Sequence, residues 1–293
     1  MLPKKTQNLR VGIGEQNILF ALATYHYLSA QQLCRLLYSP SSLTFVQTKL
    51  KELSDGKYCQ RLFLPRPSRY GSAPSVYRLA SKGLSYLSAS GKQVGRYRPV
   101  EERAHSYLFL AHTLAVNSVL IAAALLCRTS PEFVIRRMAH ERDLKREPMT
   151  VLEGDGRKLA VIPDGYLDFA VNGTHQVCIS LEIDRGTYEQ KVWRQKVRAL
   201  LAAASGPYQQ RFETASLTFA VVATPGEKRL WELMRWTEAE LKEASQDQRD
   251  LFRFTGANPE TASPRALFLH PVWFRPFDKT GRPLLEGVRS QAA

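Results

Sequence analysis

With 293 residues, 44% hydrophobic and 23% charged, the chain reads as an ordinary soluble globular protein of one large or two ordinary domains. Its net charge of +14 is uneven: residues 1–100 hold 15 Lys and Arg against 3 Asp and Glu, whereas the remaining 193 hold 26 against 24. A basic N-terminal third beside a near-neutral remainder points to a module that meets a polyanion, nucleic acid before others, with a solvated basic face as the plain alternative.

In chain order, residues 1–15 form a basic arm, with no apolar run behind the charges of MLPKKTQNLR to suggest a signal peptide. Helices are predicted over 16–28 and 29–38, the second capped by Ser29. A turn at 39–42 leads to a third helix over 43–56, closed by Gly56. Leu43, Val46, Leu50 and Leu53 share one face of that helix, so Thr44, Gln47, Thr48 and Lys51 point outward. Strands at 58–65 and 75–80 follow, joined by PRPSRYGSAP, and another helix begins at Ser81. This is the order of a winged helix-turn-helix over 16–90, in which helix three enters the major groove and the wing lies along phosphates. The DNA contacts it predicts are Thr44, Gln47, Thr48, Lys51, Arg61, Arg66, Arg69 and Arg78. Winged helices also serve as protein-interaction modules; the charge distribution favours duplex DNA.

Residues 91–104 read as a linker, and 105–275 as a second domain. It opens on a helix over 105–127; Ser106–Cys127 is uncharged over 22 residues, long enough for a membrane span, but its His112, Thr113, Asn117 and Ser118 favour a buried core helix. His105 and His112 read as hydrogen-bonding core or interdomain residues. Strands are predicted at 131–144, 155–173, 174–184, 216–224, 250–255 and 266–274, with helices over 185–205 and 225–245 and a loose tail over 276–293. Asn172-Gly173 marks a hairpin turn. The order is a mixed sheet flanked by helices, so the expected fold class is a two-domain α+β or α/β protein. The four cysteines (34, 59, 127, 178) lack CxxC spacing and read as buried thiols of a reducing, cytoplasmic compartment, and the four tryptophans read as core.

Glu182 and Asp184 are two apart on one strand and share a face; Asp164 lies on the neighbouring strand, and pairing across the Asn-Gly turn carries it toward Glu182. Carboxylates so placed suit a hard divalent cation, and a nearby lysine stabilises charge developing on a phosphate. Pro163-Asp164, then Glu182-x-Asp184 one hairpin later, resembles the PD-(D/E)xK nuclease superfamily. With the string EIDRGT (182–187) and a helix carrying Lys196, the chain is similar more narrowly to the replication-relaxation family of bacterial plasmids and mobile elements. That resemblance implies an N-terminal winged helix joined to a restriction-endonuclease-like αβββαβ domain, with catalytic Asp164, Glu182, Asp184 and Lys196, the three acids holding Mg²⁺ or Mn²⁺. The superfamily lysine belongs at position 184, which is aspartate here; Lys196 is the substitute, Lys191 the second choice, and Glu141 the nearest stand-in for a helix-borne glutamate.

A structural reading stands beside the catalytic one, in which Thr187 caps the following helix and Arg185 pairs with Asp164 or Glu182. The functional expectations are accordingly two: a duplex-DNA-binding protein of plasmid replication, relaxation or transfer that nicks or cuts DNA, or a non-catalytic accessory factor or transcriptional regulator. Other replication or conjugation proteins and a second copy of the chain are the expected partners, and no membrane.

Overall fold

The computed structural model describes residues 10–64, 75–95, 97–99, 106–152 and 156–285. The chain is a mixed α+β protein with a three-stranded sheet near its N-terminus and a seven-stranded mixed sheet. It divides into two compact units, residues 1–117 and 118–293.

The first unit runs α1 (Ile13–Tyr25), β1 (Tyr27–Ser29), α2 (Ala30–Leu37), a 3-10 turn (Pro40–Ser42), α3 (Leu43–Asp55), β2 (Cys59–Phe63), β3 (Ser75–Leu79) and α4 (Ser81–Ala89). Strand β1 is a correction to the helix expected through residue 28. Helix α1 stops at Tyr25 because His26 adopts a positive φ of 62°, and Tyr27–Ser29 then pair antiparallel with Val76–Arg78. Three residues after a helix are too few to carry a strand signal; the pairing partner lies some fifty residues on. The sheet order is β1-β3-β2, with β3 central. Ser29 caps α2 as expected: its hydroxyl accepts from Gln32 N at 3.1 Å, and Gln32 Oε1 accepts from Ser29 N at 3.2 Å, a reciprocal capping box. Val46, Leu50 and Leu53 bury the inner face of α3, and Gly56 ends it.

Helix α5 (Tyr107–Thr129) crosses the boundary between the units at residue 117. It is long and apolar enough to cross a membrane, but most of its apolar stretch is buried within the fold. Its polar interruptions have structural work: Asn117 Nδ2 donates to Tyr25 O (2.9 Å) and Tyr27 O (2.6 Å), satisfying the carbonyls on either side of the His26 kink. His112 is half-buried, and His105 lies outside the described residues.

The second unit continues through β4 (Phe133–His140), α6 (Glu141–Leu144), β5 (Met149–Leu152), β6 (Lys158–Val161), β7 (Gly165–Val171), β8 (His175–Asp184), α7 (Gln190–Ala204), α8 (Pro207–Phe212) and β9 (Thr218–Ala223), then α9 (Glu227–Glu240), α10 (Gln246–Arg249), β10 (Phe252–Thr255), α11 (Pro264–Leu269), β11 (Trp273–Arg275) and β12 (Asp278–Arg282). Its main sheet has the order β12-β11-β10-β9-β8-β7-β4, parallel between β8, β9 and β10 and antiparallel elsewhere. Strands β5 and β6 form a separate hairpin.

Several boundaries differ from those expected. The long strand over 155–173 is two, β6 and β7, interrupted around Pro163, which has no N–H to give a ladder. The strand expected over 266–274 is α11 followed by β11; Ser263 accepts from Ala266 N at 3.1 Å and Pro264 opens the helix, a start signal that outweighs the apolar run. The described part of the tail expected to be loose over 276–293 instead contributes β12, paired with β11, and residues 286–293 lie outside the described residues.

Cys178 of β8, Phe219, Val221 and Ala223 of β9, and Phe252 and Phe254 of β10 face one core with Trp193, Val197 and Leu200 of α7 and Leu230 and Leu233 of α9. Trp193, Trp236 and Trp273 are buried, as are Cys34, Cys59 and Cys178; Cys127 is half-buried, and all four thiols are free.

In the first unit α4 packs closely on the chain entering β2: a Cβ added at Gly83 would lie 2.2 Å from Tyr58 O, a backbone atom with nowhere to move. Gly83→Ala is therefore expected to lower stability by roughly 1–3 kcal/mol, the usual cost of overpacking, measured by urea denaturation.

Candidate functional site

The β7–β8 hairpin places the acids. Asn172 and Gly173 both take positive φ, 51° and 74°, and Thr174 N donates to Val171 O at 3.3 Å, closing the turn. The resulting register pairs Gly165 with Leu181, which sets Asp164 opposite Glu182 at the far end of the hairpin. Asp164 is anchored there three ways: its N–H donates to Leu181 O (3.0 Å), its carbonyl accepts from Glu141 N (3.1 Å), and its Oδ2 accepts from Ile183 N (2.7 Å). Glu182 and Asp184 share a face with Cys178 by the two-residue period, the face covered by α7 and α9. They stand at the carboxyl ends of the parallel strands, where open α/β sheets bind ligands.

Lys196 comes from α7, one turn after Trp193 and beside Val197, so the buried stripe of the helix delivers it to the acids. Its ammonium forms an ion pair with Glu182 Oε2 and donates to Tyr188 Oη at 2.9 Å. Glu182 is 1% exposed and Lys196 20% exposed, so the pair has one open side. Burial pulls the Lys196 ammonium toward neutrality, but Glu182, Asp164 and the Tyr188 hydroxyl outweigh it and hold its pKa well above the ordinary lysine range. Lys196 is thus a cation at neutral pH, suited to stabilising anionic charge and not to accepting a proton. Burial, and then Glu182 and Asp164, raise the Tyr188 hydroxyl despite the opposing lysine, so it stays protonated.

Asp184 is engaged elsewhere. Arg229 of α9 donates to its Oδ2 from Nε (2.6 Å) and to its Oδ1 from Nη2 (3.4 Å), and Asp184 also accepts from Gly186 N (3.1 Å) and Tyr188 N (3.4 Å). Arg229 further donates to Tyr188 O (2.7 Å) and Glu232 (2.5 Å). Asp184 and Arg229 therefore hold the 185–189 loop, and through it Tyr188 against Lys196. Among the described residues no three His, Cys, Asp or Glu side chains are placed to share one metal ion. Of the three acids, Asp184 is engaged by Arg229 and two backbone N–H groups, which leaves Asp164 and Glu182, opposite each other in register, as the pair to consider. Mg²⁺ is commonly held by one or two carboxylates plus waters and substrate phosphates, so this pair still fits it.

The modulating residues fall as follows. Thr187 is exposed and does not cap α7, whose N-cap is Glu189. Arg185 is half-buried, and a different acid, Asp184, is clamped by Arg229, 45 residues after it. Lys191 is exposed, on the side of α7 away from the core. Glu141 lies beside Asp164 through its backbone but turns its carboxylate to Lys145 at 2.5 Å. Tyr188 and Arg229 went unpredicted; Tyr188 follows directly on the EIDRGT string, whereas nothing near Arg229 marks it.

In the first unit Thr44, Gln47, Thr48 and Lys51 are all exposed along α3. Arg61 is exposed, donates to Ser75 Oγ (2.9 Å) and lies over the Phe63 ring. Arg78 is a correction: on the central strand β3 it is 8% exposed, pairs with Gln60 and donates to Pro99 O (2.9 Å), so it is a structural residue. Arg66 and Arg69 lie outside the described residues.

Removing Lys196 strands a buried carboxylate. Lys196→Met is expected to cost about 3–5 kcal/mol at neutral pH, and Glu182→Gln in the same chain to recover most of it, measured by urea denaturation. A raised lysine pKa contributes stability that is complete below the unfolded value, about 10.4, and is lost as pH rises through the higher folded value. The gap between wild type and Lys196→Met should hold steady through neutral and mildly alkaline pH and close only above that range.

Comparison with known proteins gives one family. Residues 19–214, about two thirds of the chain, match the replication-relaxation family, a stretch that includes Asp164, Glu182 and Lys196 and ends before Arg229. No curated protein and no solved structure matches. The chain belongs to the replication-relaxation family and is thereby a protein associated with plasmid replication and relaxation.

Proposed function

We propose that the protein binds duplex DNA through a winged helix in its first unit and acts on a phosphodiester through a PD-(D/E)xK-type site in its second. The observation that carries the second half is Lys196: it leaves a helix to reach Glu182 at the carboxyl ends of the parallel strands, with Asp164 in register opposite. The first half is supported by the exposed polar face of α3 and the excess of cations before residue 100.

On this reading Asp164 and Glu182 hold a Mg²⁺ or Mn²⁺ ion. Such an ion, when bound, polarises the phosphate and lowers the pKa of an attacking water. Lys196, fixed as a cation, stabilises the charge that develops on the phosphate oxygens. Tyr188, a neutral hydroxyl, orients that ammonium. Asp184 and Arg229 keep the loop carrying Tyr188 in place.

One observation favours a second reading, a non-catalytic accessory factor or regulator: Glu182 is nearly inaccessible and already neutralised by Lys196. Incubation of supercoiled plasmid with the protein and Mg²⁺ or Mn²⁺ separates the two. Nicked or linear product, lost in Asp164→Ala with duplex affinity unchanged, is expected from a phosphodiesterase. No product with either metal leaves the non-catalytic reading, and product that persists in Asp164→Ala overturns the assignment of the site to Asp164. Independently, Lys51→Ala is expected to weaken duplex binding and to lower the slope of log affinity against log salt by about 0.9 if it meets one phosphate, measured by fluorescence anisotropy.

A further inference from the structure

A second feature of the second unit lies outside this site. Helix α9 and the β11–β12 hairpin border a groove of about 440 Å³ lined by Lys228, Trp231, Glu232, Met234, Arg235, Glu238 and Lys279. That volume falls in the range of sites for small ligands, roughly 300–1,000 Å³. Trp231 is half-buried, its ring tilted against Phe274 at 4.9 Å between centroids, and its indole N–H donates to Glu227 at 3.2 Å, which fixes the ring.

The groove is lined by three cations, Lys228, Arg235 and Lys279, and two carboxylates, Glu232 and Glu238. Glu232 is taken by Arg229, and Glu238 accepts from Phe277 N at 2.8 Å, tethering the hairpin to the helix. Lys228, Arg235 and Lys279 are exposed and have no carboxylate partner among the described residues. A fixed aromatic ring with three unpaired cations around it suits a ligand that has both a flat π-face and anionic charge. Lys228 and Arg235 are two turns apart, about 10 Å along the helix. A duplex keeps its bases stacked and paired and offers no free face to Trp231; a single strand does.

We propose that this groove binds a single-stranded nucleic-acid segment, with one base against Trp231 and neighbouring phosphates on Lys228, Arg235 and Lys279. It does not depend on whether Asp164, Glu182 and Lys196 form a working phosphodiesterase.

The test is binding of a fluorescent oligothymidylate of about twelve nucleotides to the full chain over a range of salt. Replacing Lys228, Arg235 and Lys279 together by Gln should lower the slope of log affinity against log salt by about two, since each single-strand phosphate contributes about 0.7. Trp231→Leu, which keeps the apolar contact with Phe274, should weaken binding about tenfold, the scale of one base–aromatic stack. Duplex affinity should be unchanged in both variants, and the thermal midpoint of the triple variant, altered only at exposed side chains, should match wild type. The proposal is overturned if the wild type does not bind the oligonucleotide, if the triple variant keeps its affinity and salt slope, or if polyglutamate displaces the oligonucleotide as well as unlabelled oligothymidylate does. The last result would assign the groove to an acidic peptide.

Discussion

The register of the β7–β8 hairpin is the constraint on which the candidate site depends. It is set at one end by Asn172 and Gly173, two residues that tolerate positive φ, and is read out some nine residues later as Asp164 facing Glu182. A slip of one residue would send Glu182 and Asp184 to the other face of the sheet, the one that carries Leu181 and Ile183. The slip is opposed at both ends: by the turn itself, and by Asp164, whose carboxylate and backbone are bonded to residues 181 and 183.

Once the acids are on the helix-covered face, burying them requires compensation, because an unpaired carboxylate in a core is far too costly. The chain answers with one cation per acid on β8. Lys196 arrives from the helix immediately after the strand, and Arg229 from the helix after the next strand. The two differ in kind. Arg229 has a planar fork that bonds Asp184, Tyr188 O and Glu232 at once, a fixed arrangement suited to holding a loop. Lys196 is a point charge on a flexible stem with an open side, suited to changing partners. The two cations thus separate an acid held by a planar arginine fork, Asp184, from one held by a lysine with an open side, Glu182.

The matched family stretch ends at residue 214, before Arg229 and before the groove at Trp231. The core-forming helix α9 therefore does two things beyond that stretch: its inner face locks the loop that supports Lys196, and its outer face displays unpaired cations. In the proposed reading, duplex recognition in the first unit and single-strand contact in the second are distinct surfaces with distinct chemistry, helix side chains for paired bases and an aromatic platform for an exposed one.

What the sequence determined by itself was local. The spacing of Val46, Leu50 and Leu53 fixed the inner face of α3, Ser29 and Gln32 fixed the start of α2, and Asn172-Gly173 fixed the hairpin and, with the two-residue period, the shared face of Glu182 and Asp184. The family resemblance singled out Lys196 ahead of Lys191, and in the structure Lys196 lies one turn after Trp193 and meets Glu182 while Lys191 is exposed. What only the tertiary structure decided was which charges meet. Arg78 reads as a wing cation in sequence but is consumed by the central position of β3, and β1 exists because its partner strand lies nearby in space. Asp184 reads as a metal ligand but is claimed by an arginine 45 residues away. Periodicity assigns a side chain to a face; the identity of its partner across that face is set by long-range packing, which no local pattern encodes.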